Sequence, residues 1–438
     1  MTKRADDLKK INKELHLFNA LDDAPKSTKG PLKDIAVSVK DCICVRGMES
    51  RAGSAILEGY TPVFDATVIE RIRKAGAAII GKTAQDAFGF GSFSVNVGKD
   101  MQIPKNPVDK TRSCGGSSGG AAAITKAAEF PHIALAESTG GSIVAPASFC
   151  GVIGFCPTYG RVSRYGLMDY ANSLDKIGPM AKSMEEIATM MQIIAGYDEK
   201  DSTSLQEPVP DYTKALTRKI KGLKIGVLKN NFGEGVDIEV AEKVADGIQK
   251  LQDQGAIVED ITLPITEKYG VACYYLLAMA EASTNLAKYS GLRYGKQEKI
   301  EGTFNEYFES TRDTFNTEAK RRIIIGTFAR MAGFRDAYYL QATKVRTKII
   351  DEYKKAFKKV DILISPTMPF VAPKFSDIKK LSPLQHYQSD IMTVGPNLAG
   401  LPHMSIPVGE DKEGMPIGLL IIADHLQEET LMKVGTKL

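Results

Sequence analysis

Short apolar runs alternate with amphipathic stretches of helical length along most of this chain, and that grammar constrains its fold more than any other feature. "KDIAVSVKD" (33–41) alternates apolar residues and predicts a strand ending at Lys40-Asp41. "ATVIERIRKAGAAIIGKT" (66–83) reads as helix, turn at Gly76, then strand, and "TKAAEFPHIALAES" (125–138) repeats the pattern. It continues with strand "KGLKIGVLKN", helix "DIEVAEKVADGIQKLQDQG" and strand "AIVEDITL". Such alternation predicts an α/β fold, a large mixed, mostly parallel sheet covered by helices on both faces. Residues from about 268 to 358 are predicted to form a helical lobe, after which strands return at "DILISPTMP", "HMSIPVG" and "PIGLLIIAD". No linker interrupts the chain, so one domain over 1–438 is expected. It opens with a helical segment over 1–25, where Leu8, Ile11, Leu15 and Phe18 recur at helical spacing.

Composition narrows the class. The chain has 438 residues, 43% of them hydrophobic and 25% charged, with a net charge of +4. That bias is too weak to make nucleic acid the main direct partner. No stretch approaches the ~18 apolar residues of a membrane span, and the N-terminus has no signal-like apolar region. A cytoplasmic protein is expected. The six cysteines are sparse and form no paired CxxC knuckle, which fits reduced thiols. Cys42, Cys44 and Cys114 have no histidine beside them, and no metal site is expected.

Two serine–glycine clusters, "SCGGSSGG" (113–120) and "STGGSI" (138–143), sit at the ends of ordered elements and read as site loops. In the second, the N–H groups of Gly140, Gly141 and Ser142 can converge on one concavity, the arrangement of an oxyanion hole. Ser142 would then be the attacking oxygen, provided something takes its proton. His16 and His132 read as surface or turn residues, while His386, His403 and His425 lie near the C-terminus. G-x-S-x-G is not formed at Ser142, where the sequence reads Gly141-Ser142-Ile143, yet a Ser-His-Asp hydrolase using His386 or His403 stays open. Lysine can replace histidine where burial or nearby dipoles make its neutral form accessible. Lys40, at the C-terminal end of a buried strand, is placed where α/β sheets put their sites. A snorkelling lysine at a strand end is the alternative.

"CGGSSGGAAA", "ESTGGSIVAPASFCGVIGFCPTYGRVSRYGL" and "VSVKD", in these relative positions, closely resemble the amidase signature family. The resemblance implies a single amidase-signature domain with a Ser–cis-Ser–Lys triad. Ser142 is then the nucleophile, Lys40 the ultimate base, and Ser117 the bridging serine on a cis peptide bond. Thr139 joins Gly140, Gly141 and Ser142 in the oxyanion turn, and Ser118 is expected to hydrogen-bond within its own loop. The two serines lie 25 residues apart, one more than the usual pattern, so the GGSSGG motif and not the distance anchors Ser117.

Further stretches narrow the resemblance: "PTYGRVSRYGLMDYANSLDKIGPMAKS", "GLRYG", "KRRIIIGTFARMAGFRDAYYLQATKVRT" and "YQSDIMTVGPNLAGLPHMSIPVG". They are similar to the family's branch of glutamine-hydrolysing subunits of tRNA-dependent amidotransferases. That branch implies hydrolysis of glutamine through an acyl-enzyme on Ser142. The ammonia passes to a B subunit, which uses ATP and Mg to convert Glu-tRNA(Gln) to Gln-tRNA(Gln), with a C subunit completing a heterotrimer. No cofactor is implied in this chain. By the same motifs, Arg322 grips the glutamine carboxylate and Asp390 pairs with its ammonium. Read alone, Arg322 is a surface helix arginine and Asp390 an N-cap. The chain departs from the family at Ser138 and Val144, where an aspartate and an arginine are usual, and at Ala87, inside what is normally a "DEF" triplet. The run before "VSVKD" and the C-terminus are both short for the family, as in a divergent or reduced member. A stand-alone amidase for another amide and a catalytically weakened scaffold subunit stay as alternatives.

Overall fold

The computed structural model describes residues 2–438. Eleven strands form one sheet: β1 (Phe18–Leu21), β2 (Ala36–Lys40), β3 (Ala78–Thr83), β4 (His132–Ser138), β5 (Ile153–Cys156), β6 (Lys176–Ala181), β7 (Lys224–Leu228), β8 (Ile257–Ile261), β9 (Ile362–Pro366), β10 (His403–Glu410) and β11 (Pro416–Ala423). Their order is β1-β3-β2-β4-β6-β5-β10-β11-β9-β7-β8. The central strands β2, β3, β4 and β11 are buried along their whole length, while the edge strands β1 and β8 are partly solvated.

The sheet is mixed, as expected, and only the expectation that most pairs are parallel is corrected. Parallel pairing is confined to β2–β3, β2–β4, β7–β8 and β7–β9, four of the ten pairings. A single helix links β2 to β3 and β7 to β8, and each such crossover returns the chain in the same direction. The chain reverses only at the β1–β2, β5–β6 and β10–β11 connections, and the other antiparallel pairs join strands that are not consecutive. The loop after β5 carries it back so that β6 lies antiparallel between β4 and β5, and β10–β11 is a hairpin. Hydrophobic pattern identifies a strand but carries no information on its direction.

Both faces are covered, as expected. On β11 an added Cβ at Gly418 would meet Ser148 Oγ of the helix Val144–Cys150 at 2.6 Å. The side chain of the next residue, Leu419, lies against Gly247 of the helix Ile238–Asp253. Successive strand residues point to opposite faces, so these two helices sandwich the sheet.

The N-terminal segment is helical only over Thr2–Leu15; the chain then turns and forms β1, which pairs antiparallel with β3. Phe18 is buried from that strand and not from a helix face. The helical lobe is present, built of helices Pro264–Asn285, Phe304–Arg312, Thr317–Arg330 and Tyr339–Ala356. Gly326 lets two of them touch: a methyl there would run into the carbonyl oxygen of Met279. Counting back one helical turn from each residue aligns Arg322 with Tyr275. All six cysteines are free and buried. No helix among the described residues is long and apolar enough to cross a membrane.

Candidate active site

Lys40 ends β2, and neither it nor Ser117 has any exposed surface. Its Nζ donates to Ser117 Oγ at 2.7 Å, to Glu137 O at 2.9 Å and to Glu137 Oε2 at 2.7 Å. This is no snorkelling lysine. The Gly116–Ser117 peptide is cis, as the resemblance implied. The loop packs so tightly that a methyl at Gly116 would run into the Asp86 carboxylate. Asp86 in turn accepts the N–H groups of Ser94 at 2.9 Å and Asn96 at 2.8 Å. Burial pushes its carboxyl up to about 6 despite those bonds. Ser118 bonds to Glu137 O on β4, at 3.1 Å, and not within its own loop.

The turn "TGGS" joins β4 to the helix Val144–Cys150. Among the described residues, no hydrogen bond uses the N–H groups of Gly140, Gly141 or Ser142. The carbonyl of Gly140 is occupied on its other side, accepting from Ser138 Oγ at 2.8 Å and from Asn397 Nδ2. Ser138 therefore braces the turn without a charge. Ser142 is the one member of the trio with exposed surface, at 7%. Its hydroxyl makes no hydrogen bond among the described residues. The lysine-to-Ser117 half of the expected relay is formed and the Ser117-to-Ser142 half is not.

Two residues wall the turn. An added Cβ would meet the Tyr274 ring at 2.8 Å from Gly140, and Thr393 Oγ1 at 2.5 Å from Gly141. These walls connect directly to the expected glutamine clamp. Tyr275, beside Tyr274, donates its hydroxyl to Asp390 Oδ2 at 2.6 Å, and Ser92 Oγ donates to the same oxygen at 3.0 Å. Thr393 donates both its N–H and its hydroxyl to the carbonyl of Asp390. Asp390 is buried and its side chain accepts no backbone N–H, so it is not an N-cap. Burial raises its carboxyl above the ordinary carboxylate range.

Arg322 is buried too, which removes the surface-arginine alternative. Its guanidinium lies 5.1 to 5.6 Å from the ring centres of Phe90, Tyr170, Tyr275 and Tyr387. Nε donates to Glu318 Oε1 at 2.8 Å and Nη1 to the Tyr170 hydroxyl at 2.5 Å. With Ser92, Glu318 and Tyr387 it lines a cavity of about 260 Å³. A larger groove of about 910 Å³, between Leu228, Tyr353, Phe370 and Ile391, holds none of the expected site residues.

No histidine hydrogen-bonds to Ser117 or Ser142 among the described residues, although His386 lines the Arg322 cavity. His132 is buried at the start of β4, within 3.0 Å of Ser38 Oγ, which corrects its reading as a surface or turn residue. Both nitrogens of His403 are taken, by Leu401 O at 3.0 Å and Asn397 Nδ2 at 3.4 Å, and burial holds its ring neutral. His386 packs against the Phe93 ring. Sequence reasoning missed Glu137, Glu318, Tyr170, Tyr275 and Asn397. Glu318 was findable, standing one helical turn before Arg322, and Glu137 was a lone acid in the apolar run "HIALAES". The other three carry no local signal.

A Ser/Gly turn with free donors beside a lysine–serine contact on a mixed α/β sheet defines a serine-type amide hydrolase fold and site. The chain belongs to the amidase family, whose model matches residues 11–432. It is 47% identical to the A subunit of glutamyl-tRNA(Gln) amidotransferase from Microcystis aeruginosa, over 92% of this chain and 83% of that one. To its counterpart from Trichodesmium erythraeum it is 48% identical, over 93% and 84%. The crystal structure of the Thermotoga maritima counterpart superposes with a TM-score of 0.84 at 36% identity, covering 99% of this chain and 90% of the other. A 6-aminohexanoate cyclic dimer hydrolase, 22% identical with a TM-score of 0.86, shares the fold.

Proposed function

We propose that this chain is the glutamine-hydrolysing, ammonia-supplying subunit of a tRNA-dependent amidotransferase. The carrying observation is that Arg322 and Asp390 are both buried and are tied, through Tyr275 and Thr393, to the walls of the Ser142 turn. Arg322 already pairs with Glu318 through Nε, but no hydrogen bond among the described residues uses its Nη2. Asp390 has hydroxyl donors but no ion-pair partner among them, so ligand charges can complete both. The free amino acid presents both matching charges, whereas a simple amide presents neither.

In this reading, glutamine binds with its carboxylate on Arg322 and its ammonium on Asp390. Its amide carbon then sits over Ser142. Neutral Lys40 takes the proton of Ser117 as Ser117 takes that of Ser142, whose oxygen bonds to the amide carbon. The oxyanion is received by the N–H groups of the turn. Collapse returns the proton through Ser117 to the leaving nitrogen and releases ammonia; water then cleaves the glutamyl ester by the reverse relay. The missing Ser117–Ser142 contact would form with substrate bound, since catalytic hydrogen bonds commonly tighten in that complex. The relatives' name, an A subunit of glutamyl-tRNA(Gln) amidotransferase, extends the reading to Glu-tRNA(Gln) as ammonia acceptor. The B and C subunits as partners, with ATP and Mg on the B subunit, belong to the same proposal through the family resemblance.

The test is ammonia release from glutamine by the purified chain, alone and with a B-type partner, against release from a simple neutral amide. Hydrolysis of the neutral amide with no preference for glutamine would replace this reading with a stand-alone amidase. No hydrolysis of either, alone or partnered, would leave a scaffold subunit.

A further inference from the structure

Glu137 has no role in the reaction as written, yet it touches the base. Its carboxylate lies 2.7 Å from Lys40 Nζ, and both groups are shut off from solvent. We propose that Glu137 is a positioning residue that sets how readily Lys40 gives up and takes back its proton. This rests on Lys40 being the base of the serine relay.

The argument begins with a proton count. Thr139 Oγ1 lies 2.8 Å from Glu137 Oε1 and 2.8 Å from Asp175 Oδ1. One hydroxyl carries one proton, so it satisfies both carboxyls only if one of them is protonated and donates back. Asp175 is that group: burial, then the charge of Glu137, raises its carboxyl well above the ordinary range. Asp175 thus donates to Thr139, Thr139 donates to Glu137, and Glu137 keeps its charge facing Lys40. The chain of bonds ends at Ser117, whose own hydroxyl proton has no acceptor among the described residues.

Other charged and titratable groups face this corner without touching the ammonium. Asp41 and Cys42 follow Lys40 in sequence, and Asp41 pairs with Lys82 on β3. Asp86, in the loop after β3, feels the charge of Lys40, and Cys156 on β5 feels that of Glu137. Neither Ser138 nor Val144, flanking the nucleophile turn, carries a charge. Glu137 is therefore the dominant influence, since Coulomb energy falls with distance and a contact at 2.7 Å is the closest available. Its carboxylate stabilises the ammonium, which the relay must deprotonate. Replacing it with a neutral group makes that deprotonation easier, so reaction at Ser142 persists to lower pH.

The test uses the full chain and a reaction independent of glutamine. Phenylmethanesulfonyl fluoride forms an S–O bond to Ser142 and loses fluoride, while the serine proton leaves through the relay. The rate of this modification, read by intact mass across pH, is compared in wild type and Glu137→Gln, whose amide keeps the shape and can still accept from Lys40. The acidic limb is expected to fall by about 1–3 pH units, the usual effect of an opposite charge in contact. Asp175→Asn, already neutral by this account, should leave the limb in place. A Glu137→Gln limb coincident with wild type would overturn the proposal. So would failure of both Glu137→Gln and Glu137→Thr to fold by circular dichroism, because the carboxylate would then serve the fold alone. A wild-type Ser142 that reacts while glutamine is not hydrolysed would sink only the substrate assignment; a Ser142 inert at every pH would sink both.

Discussion

Lys40 and Lys82 stand on neighbouring strands, are equally buried, and differ in what they touch. Lys82 donates to Ser50 Oγ at 2.6 Å and to the carbonyls of Ile43 and Asp41, which ties down the loop after β2. Lys40 reaches the serine of the cis peptide. Ser142→Ala is expected to reduce ammonia release to background with an unchanged circular dichroism spectrum, because Ser142 ends the turn whose N–H groups receive the oxyanion. Lys40→Ala should lower kcat by several orders of magnitude, and equal damage from His403→Ala would count against the relay. Arg322→Ala and Asp390→Ala each strand a substrate charge in a desolvated site. That costs about 2–5 kcal/mol, or roughly 30- to 5,000-fold in kcat/KM for glutamine, with a neutral amide little affected. Equal losses on both substrates would make the pair structural. Asp390 adds a pH signature. Only its ionised form pairs with an ammonium, and burial raises its carboxyl. KM for glutamine should therefore climb on acidification at a pH above the ordinary carboxylate range, while that for a neutral amide stays level. Ser117 and Ser142 were legible because motifs place them beside glycines that only a tight loop requires, and Lys40 because its motif ends an apolar strand run. Glu137 was not, because a single acid within an apolar strand reads the same whether or not a lysine lies across from it.

Strand and helix identities were largely legible at the level of elements, since period and turn residues are local. β2, β3, β7 and the lobe helices fall where the pattern puts them. Strand direction was not, nor was β1, whose four residues continue the spacing of the preceding helix. The crossing of helices Pro264–Asn285 and Thr317–Arg330 belongs to this scale. It depends on Gly326, where any side chain would strike the Met279 carbonyl. Gly326→Ala should push the helices apart, at the ~1–3 kcal/mol typical of overpacking, measured as a lowered urea midpoint. The same displacement carries Arg322 away from Tyr275, so KM for glutamine should rise while reactivity of Ser142 toward a sulfonyl fluoride is retained. An unchanged KM would show that the clamp does not depend on this crossing.

Taken as a whole molecule, the chain gathers its site from segments far apart in sequence: β2, the loop before Gly119, the turn after β4, the lobe helices and the stretch around Asp390. If it supplies ammonia to a partner, hydrolysis and amidation are separable. A complex carrying Ser142→Ala should lose glutamine-dependent amidation of Glu-tRNA(Gln), yet regain it with ammonium chloride. Failure of ammonium to restore amidation would place Ser142 outside a supply role. The sequence by itself determined the family, the α/β class, and the two serines and the lysine of the proposed relay, because periodicity and short motifs are written in neighbouring residues. Only the tertiary structure decided the mixed sheet directions, the burial of Arg322 and Asp390 behind the nucleophile turn, and the Glu137–Thr139–Asp175 chain behind Lys40. Each of these joins residues from separate segments, and whether a charge is buried, paired or solvated depends on what the folded chain brings against it.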